Sequence, residues 1–126
     1  MKNQRDLSGL KVLIVEDDHM VREVIARTAS ALGADVDVAG EGAEGLSKIG
    51  AQHYDVVVSD LKMPKVGGLD VLKATRGTPG VTGLVVITGF TDRSDELAIE
   101  QLGAKLVRKP FRAHELAEAL RSAALR

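Results

Sequence analysis

Four short stretches of this 126-residue chain carry groups that can do chemistry: Glu16-Asp17-Asp18, Ser59-Asp60, Thr88-Gly89 and Lys109-Pro110. Each follows directly on a short apolar run. Brought together they supply at least three carboxylates, one hydroxyl and one ammonium. Crowded carboxylates repel one another, and the natural relief is a hard divalent cation with oxygen ligands and retained waters, which describes Mg²⁺. Glu16, Asp17 and Asp60 carry three formal negative charges, and Mg²⁺ with Lys109 would cancel them. A phosphoryl group arriving on one of the carboxylates would meet a metal, an ammonium and a hydroxyl donor, the set phosphoryl transfer uses to neutralise charge. The chain has no cysteine, which excludes thiolate catalysis, disulfides and Cys-ligated zinc or iron–sulfur sites.

The periodicity says what must position these groups. Short β-branched runs alternate with helix-length amphipathic segments, the pattern of βα units around a parallel sheet. The strands are read at Lys11 to Val15, Asp35 to Val38, Val56 to Val58, Leu84 to Ile87 and Lys105 to Arg108. The second alternates polar and apolar residues and belongs at a sheet edge, whereas the third and fourth are continuously apolar and belong in the middle. The first helix carries a stripe of Met20, Val21, Ile25, Ala29 and Leu32, with Asp18 as its cap and Gly33 as its stop. Further helices are expected at about Gly42 to Ile49, Leu69 to Ala74, Asp92 to Leu102 closed by Gly103, and Ala113 to Leu125, the last with Leu116, Ala117, Leu120 and Ala124 on one face. Five such units make an α/β, doubly wound parallel sheet with helices on both sides. Ligands of such sheets bind beyond the carboxyl ends of the strands, where all four chemical stretches fall.

Length and charge bound the rest. The chain has room for one domain, read as 11–126 behind a short N-terminal extension, 1–10. Lys and Arg total 17 against 18 Asp and Glu, and both signs are scattered, so neither direct nucleic-acid binding nor a polybasic membrane anchor is expected. No apolar run approaches the ~20 residues of a membrane span, and the first six residues have no apolar signal core behind them. A cytoplasmic protein is the expectation.

In order and placement, V-E-D-D at 15–18, S-D-L-K-M-P at 59–64, I-T-G at 87–89 and R-K-P-F at 108–111 resemble a response-regulator receiver domain of two-component signalling, similar to the single-domain chemotaxis regulator. The resemblance covers Lys11 to the C-terminus. It implies a flavodoxin-like five-stranded sheet in the order 2-1-3-4-5. It also implies a bound Mg²⁺ held by the acidic pair Glu16 and Asp17, by Asp60 and by the main-chain carbonyl of Lys62, with Asp60 as phosphoacceptor. Thr88 matches the hydroxyl that closes on the phosphoryl group, and Lys109 the lysine that bonds it, commonly ahead of a cis proline at the position of Pro110. The implied partners are a histidine kinase or histidine phosphotransfer protein as donor and an effector protein or attached output domain downstream. The implied activity is self-phosphotransfer and autodephosphorylation only, without turnover of a separate substrate.

Three positions depart from the family pattern. Leu106 stands where receivers usually place a Phe or Tyr that swings inward as the hydroxyl moves, which puts the aromatic switch in doubt but not the chemistry at Asp60. Gly67 replaces a frequent Asp and is expected to loosen the loop after Asp60. Phe90 and Lys62 resemble positions that tune phosphoryl lifetime, and an apolar ring at 90 could shield an acyl phosphate from water.

Other readings compete. Gly40-Glu41-Gly42-Ala43-Glu44-Gly45 matches G-x-G-x-x-G twenty residues ahead of Asp60, a dinucleotide fingerprint on paper. It follows a polar, edge-like strand, and Glu41 and Glu44 would oppose a pyrophosphate, so turn chemistry is the simpler reading. A nucleotide-dependent enzyme using this loop is one alternative. A phosphorylation-independent interaction module, favoured by Leu106, is another. His19, His53 and His114 lack metal-ligand spacing. His19, Met20 and Phe111 match positions where receivers dock their kinases, and the charged residues Glu96, Glu100, Glu115, Glu118 and Arg121 read as solvated helix faces.

Overall fold

Val, Ile and Leu fill the five strands in alternating directions, and two separate helical layers cover the two faces they create. The computed structural model describes residues 7–81 and 83–125, with β1 (Lys11–Val15), α1 (His19–Ala31), β2 (Asp35–Ala39), α2 (Gly42–Ala51), β3 (Val56–Asp60), α3 (Gly68–Arg76), β4 (Gly83–Thr88), α4 (Arg93–Leu102), β5 (Lys105–Arg108) and α5 (Ala113–Ala124). All neighbouring strands are parallel, in the order β2-β1-β3-β4-β5, as the sequence led one to expect. The β2 edge is the polar strand, and β3 and β4 are buried throughout.

One face of the sheet presents Val12, Ile14, Val56, Val58, Val85, Ile87 and Val107 to Ile25 and Ala29 of α1 and to Leu116, Leu120 and Ala123 of α5. The other presents Leu13, Val15, Val57, Leu84 and Val86 to Ile49 of α2, Val71 and Leu72 of α3, and Ile99 of α4. Each such side chain, fully buried, stabilises the fold by about 1.5–3 kcal/mol relative to exposure. No helix among the described residues is long and apolar enough to cross a membrane.

The caps explain the boundaries. Asp18 Oδ1 accepts from Met20 N at 2.9 Å and Val21 N at 3.1 Å, starting α1. Asp92 and Asp95 form a reciprocal capping box at the start of α4, and Gly103, at φ 70°, ends that helix in a left-handed conformation open to glycine. Two stripe assignments shift. Met20 is 76% exposed, because it lies about 100° round α1 from Val21, which leads the inward row through Ile25 and Ala29 to Leu32. On α5 it is Ala123 that is fully buried, and Ala124 packs at the margin. Of the proposed N-terminal extension, residues 1–6 lie outside the described residues, while Leu7 is fully buried against the α1–α5 layer and its N–H donates to Leu32 O at 2.9 Å.

The glycine-rich stretch serves packing. A Cβ on Gly42 would lie 2.2 Å from Val66 O, and one on Gly45 would lie 2.8 Å from the Val15 side chain, so both let α2 close on its neighbours.

Candidate functional site

Strand register assembles the site. Val15 pairs with Ser59 and Asp60 with Ile87, so Glu16 falls beside Asp60 and Thr88 lies one residue beyond. Glu16 N donates to Ala39 O at 3.1 Å and Lys109 N to Thr88 O at 2.8 Å, which carries the ladder past the ends of β1 and β5. The order of the sheet reverses between β1 and β3, and this is the crevice where open parallel sheets hold ligands.

There Glu16, Asp17 and Asp60 each offer a carboxylate oxygen within 4.8 Å of the others, two of them buried and Asp17 exposed. The Lys109 ammonium bridges the buried pair, 3.0 Å from Glu16 Oε1 and 3.2 Å from Asp60 Oδ2. Asp60 Oδ1 accepts from Lys62 N at 3.3 Å. Glu16 Oε2 accepts from Asp18 N at 3.1 Å, while its buried Oε1 faces the Lys109 ammonium. Burial pushes the Glu16 carboxyl up to about 7, against the opposing pull of the Asp18 N–H and Lys109. Burial also disfavours the Lys109 charge, but the two carboxylates outweigh it and hold the ammonium above the usual lysine range. The peptide bond between Lys109 and Pro110 is cis. Three convergent carboxylate oxygens form a donor set suited to a hard divalent cation.

Thr88 is not drawn into this cluster. The pleat sends it to the α4 side of the sheet, where its hydroxyl donates to Phe90 O at 3.0 Å. The Phe90 ring is 69% exposed. Lys62 is tied at both ends: its N–H meets Asp60, and its ammonium lies 3.0 Å from Asp95 Oδ2 in the first turn of α4. Gly67 has φ −83°, which any residue can adopt, so the backbone there does not require glycine. Its neighbour Gly68 is the one the fold requires, since a Cβ there would lie 2.1 Å from Asp60 O. His19, His53 and His114 are exposed, and none joins the Glu16–Asp17–Asp60 cluster; His53 instead lies 3.0 Å from Asp55 Oδ1. Met20, Val21, Val24, Pro110 and Phe111 line an apolar groove that reaches Lys109.

Two contributors escaped sequence reasoning. Asp95 holds Lys62; the Asp92-x-x-Asp95 spacing is a local capping-box signal that carries no trace of this long-range contact. Arg22, one turn past the Asp18 cap, donates from Nη1 to Glu16 O at 2.9 Å.

A doubly wound sheet in this order, with acidic residues at its switch point and a lysine just past the last strand, places the chain in the flavodoxin-like fold class. Residues 12–121 match the family model described as the response regulator receiver domain, and the chain belongs to that family. It is 34% identical over 115 residues to the response regulator MprA of Mycobacterium tuberculosis, covering 90% of this chain and 50% of that protein. It is also 34% identical over 113 residues to a probable transcriptional regulator, ycf27, of Porphyridium aerugineum, covering 89% and 47%. It thus spans about half the length of these curated relatives. Among solved structures it resembles the Vibrio cholerae chemotaxis protein CheY4, with a TM-score of 0.81 at 29% identity over 90% of this chain and 98% of that one. A CheY-like receiver domain protein from Methanospirillum hungatei gives 0.83 at 26% identity over 91% and 93%.

Proposed function

We propose that this receiver accepts a phosphoryl group on Asp60 from a phosphohistidine of a kinase or phosphotransfer protein, and that the modified state is its signal. The observation that carries the reading is the Lys109 ammonium, 3.2 Å from Asp60 and 3.0 Å from Glu16, with an Asp17 oxygen in the same cluster. An Asp60 carboxylate oxygen would attack phosphorus, forming an O–P bond as the P–N bond to the donor imidazole breaks. Glu16, Asp17, Asp60 and the Lys62 carbonyl are the groups that would hold Mg²⁺, which when bound supplies charge neutralisation to the phosphoryl oxygens. Lys109 would then exchange a carboxylate contact for a phosphoryl oxygen. Thr88 would give up Phe90 O for another, and that difference between states is what shifts a two-state equilibrium. The groove of Met20, Val24, Pro110 and Phe111 is a docking surface for the donor, since it adjoins Lys109. A cytoplasmic location and a downstream effector or attached output domain belong to the same reading.

The test is intact mass after incubation with acetyl phosphate and Mg²⁺. One phosphoryl adduct, lost in Asp60→Ala and on chelation, is expected. Absence of an adduct in folded protein would favour the second reading, an interaction module that signals without phosphorylation, for which the non-aromatic Leu106 is the specific observation.

A further inference from the structure

Arg22 reaches back from the second turn of α1 over the end of β1. Its Nη1 donates to Glu16 O at 2.9 Å, and Nη2 lies 3.0 Å from His19 Nδ1. Glu16 is fully buried, so its carbonyl has no water to fall back on. The guanidinium passes over Gly40, where a Cβ would come within 3.3 Å of Nη1, so the bare first glycine of the glycine-rich stretch leaves it room. The other fixed points of this loop are Glu16 N on Ala39 O, Asp18 N on Glu16 Oε2, and the Asp18 cap of α1. Arg22 closes the remaining side and fixes the peptide that joins Glu16 to Asp17.

We infer that Arg22 is a positioning residue for the divalent-cation site, holding the Glu16–Asp17 peptide so that both carboxylates converge with Asp60. The inference rests on the reading of that cluster as a metal site. Electrostatics alone predicts the opposite sign: removing a cation from beside the site would tighten metal binding, whereas loss of positioning loosens it.

The experiment titrates Mn²⁺ into the full chain, following the free-ion EPR signal, for wild type, Arg22→Met, Arg22→Lys and Asp17→Asn, with circular dichroism to check each fold. Loss of an outer hydrogen-bond partner of metal ligands costs about 10–100-fold in affinity. Arg22→Met is expected to weaken Mn²⁺ binding by about tenfold. Arg22→Lys, which keeps the charge and one donor, should recover part of that loss. Unchanged or tighter binding by a folded Arg22→Met would overturn the inference while leaving the site intact. Wild type that binds no better than Asp17→Asn would overturn the metal-site reading itself, and this inference with it.

Discussion

The Lys62 ammonium lies 3.0 Å from Asp95 Oδ2, joining the loop that follows Asp60 to the first turn of α4. Asp95 also accepts the Asp92 N–H at 3.1 Å and returns its own N–H to Asp92 Oδ1 at 2.8 Å, so a single carboxylate both caps the helix and anchors the loop. The hydrogen bond from Asp92 N, then Lys62, hold its pKa below the usual aspartate value, outweighing a smaller opposing effect of burial. A depressed carboxylate adds stability above its unfolded pKa and loses it as pH falls through the folded one. Asp95→Asn should therefore melt below wild type by a constant margin from pH 7 to 5. The margin should close only below about pH 4, as a series of melting curves would record.

Removing the other half of the box tests the helix alone. Asp92→Ala should cost about 1 kcal/mol, a drop of about 4 °C in Tm for a domain of this size. Amide exchange should quicken in the first turn of α4 and not in α5. Uniform acceleration would mean that the cap does not govern this end locally.

Glu16 runs the other way. Burial raises its carboxyl to about 7 in the folded chain, above the value of 4.5 it has when solvated. Its native form thus favours the proton, and stability is lost as pH rises from about 4.5 through 7. In a chelating buffer Glu16→Gln avoids that loss. Its Tm relative to wild type should rise between pH 5 and pH 8. A gap independent of pH would show that Lys109 fully compensates the buried charge.

Two glycines separate packing from propensity. Gly68→Ala would drive a methyl to 2.1 Å from Asp60 O, so the chain must move at the very residue that terminates β3. A loss of about 3 kcal/mol or more is expected, above the usual cost of overpacking, because backbone must yield. Gly50, exposed in the last turn of α2 with nothing within 4 Å of a Cβ, should gain up to about 1 kcal/mol as alanine. Urea titration of both variants reads the contrast.

How much was legible in the sequence follows from these particulars. The strands could be read as short β-branched runs, and edge could be told from middle because β2 alternates while β3 and β4 are continuously apolar, the full order being implied by the resemblance; Asp18, Asp92 and Gly103 mark helix ends through local hydrogen bonds. The carboxylates could be gathered at one edge because strand ends are topologically fixed. Contacts between distant side chains left no such periodic trace. The Lys62–Asp95 pair spans a loop and a helix, and the reach of Arg22 to Glu16 O depends on the empty space over Gly40. Met20 was misplaced on the α1 stripe because an apolar side chain beside Val21 reads as part of the same stripe although it points about 100° away from it.

Leu106 is expected to set what the proposed switch transmits. It pairs with Val86 in register and remains 36% exposed, beside Ile99 and Ala104 at the seam of α4 and β5. The same seam is clasped by Arg108, whose Nη2 lies 3.1 Å from Glu96 Oε2. A leucine has no ring to swing into the space vacated if the Thr88 hydroxyl leaves Phe90 O, so movement at Thr88 gains no large apolar burial further along β5. Beryllofluoride, added with Mg²⁺ as a phosphoryl mimic, should then shift amide resonances near residues 16–18, 60–62 and 88–90 while β5 and α5 stay nearly unmoved. Leu106→Tyr should extend the shifts into β5 by supplying about 1–2 kcal/mol of state-dependent ring burial. Large shifts across β5 and α5 in the wild-type chain would mean that transmission runs without a ring, and the α4 tether through Lys62 and Asp95 would then be the connection to cut next.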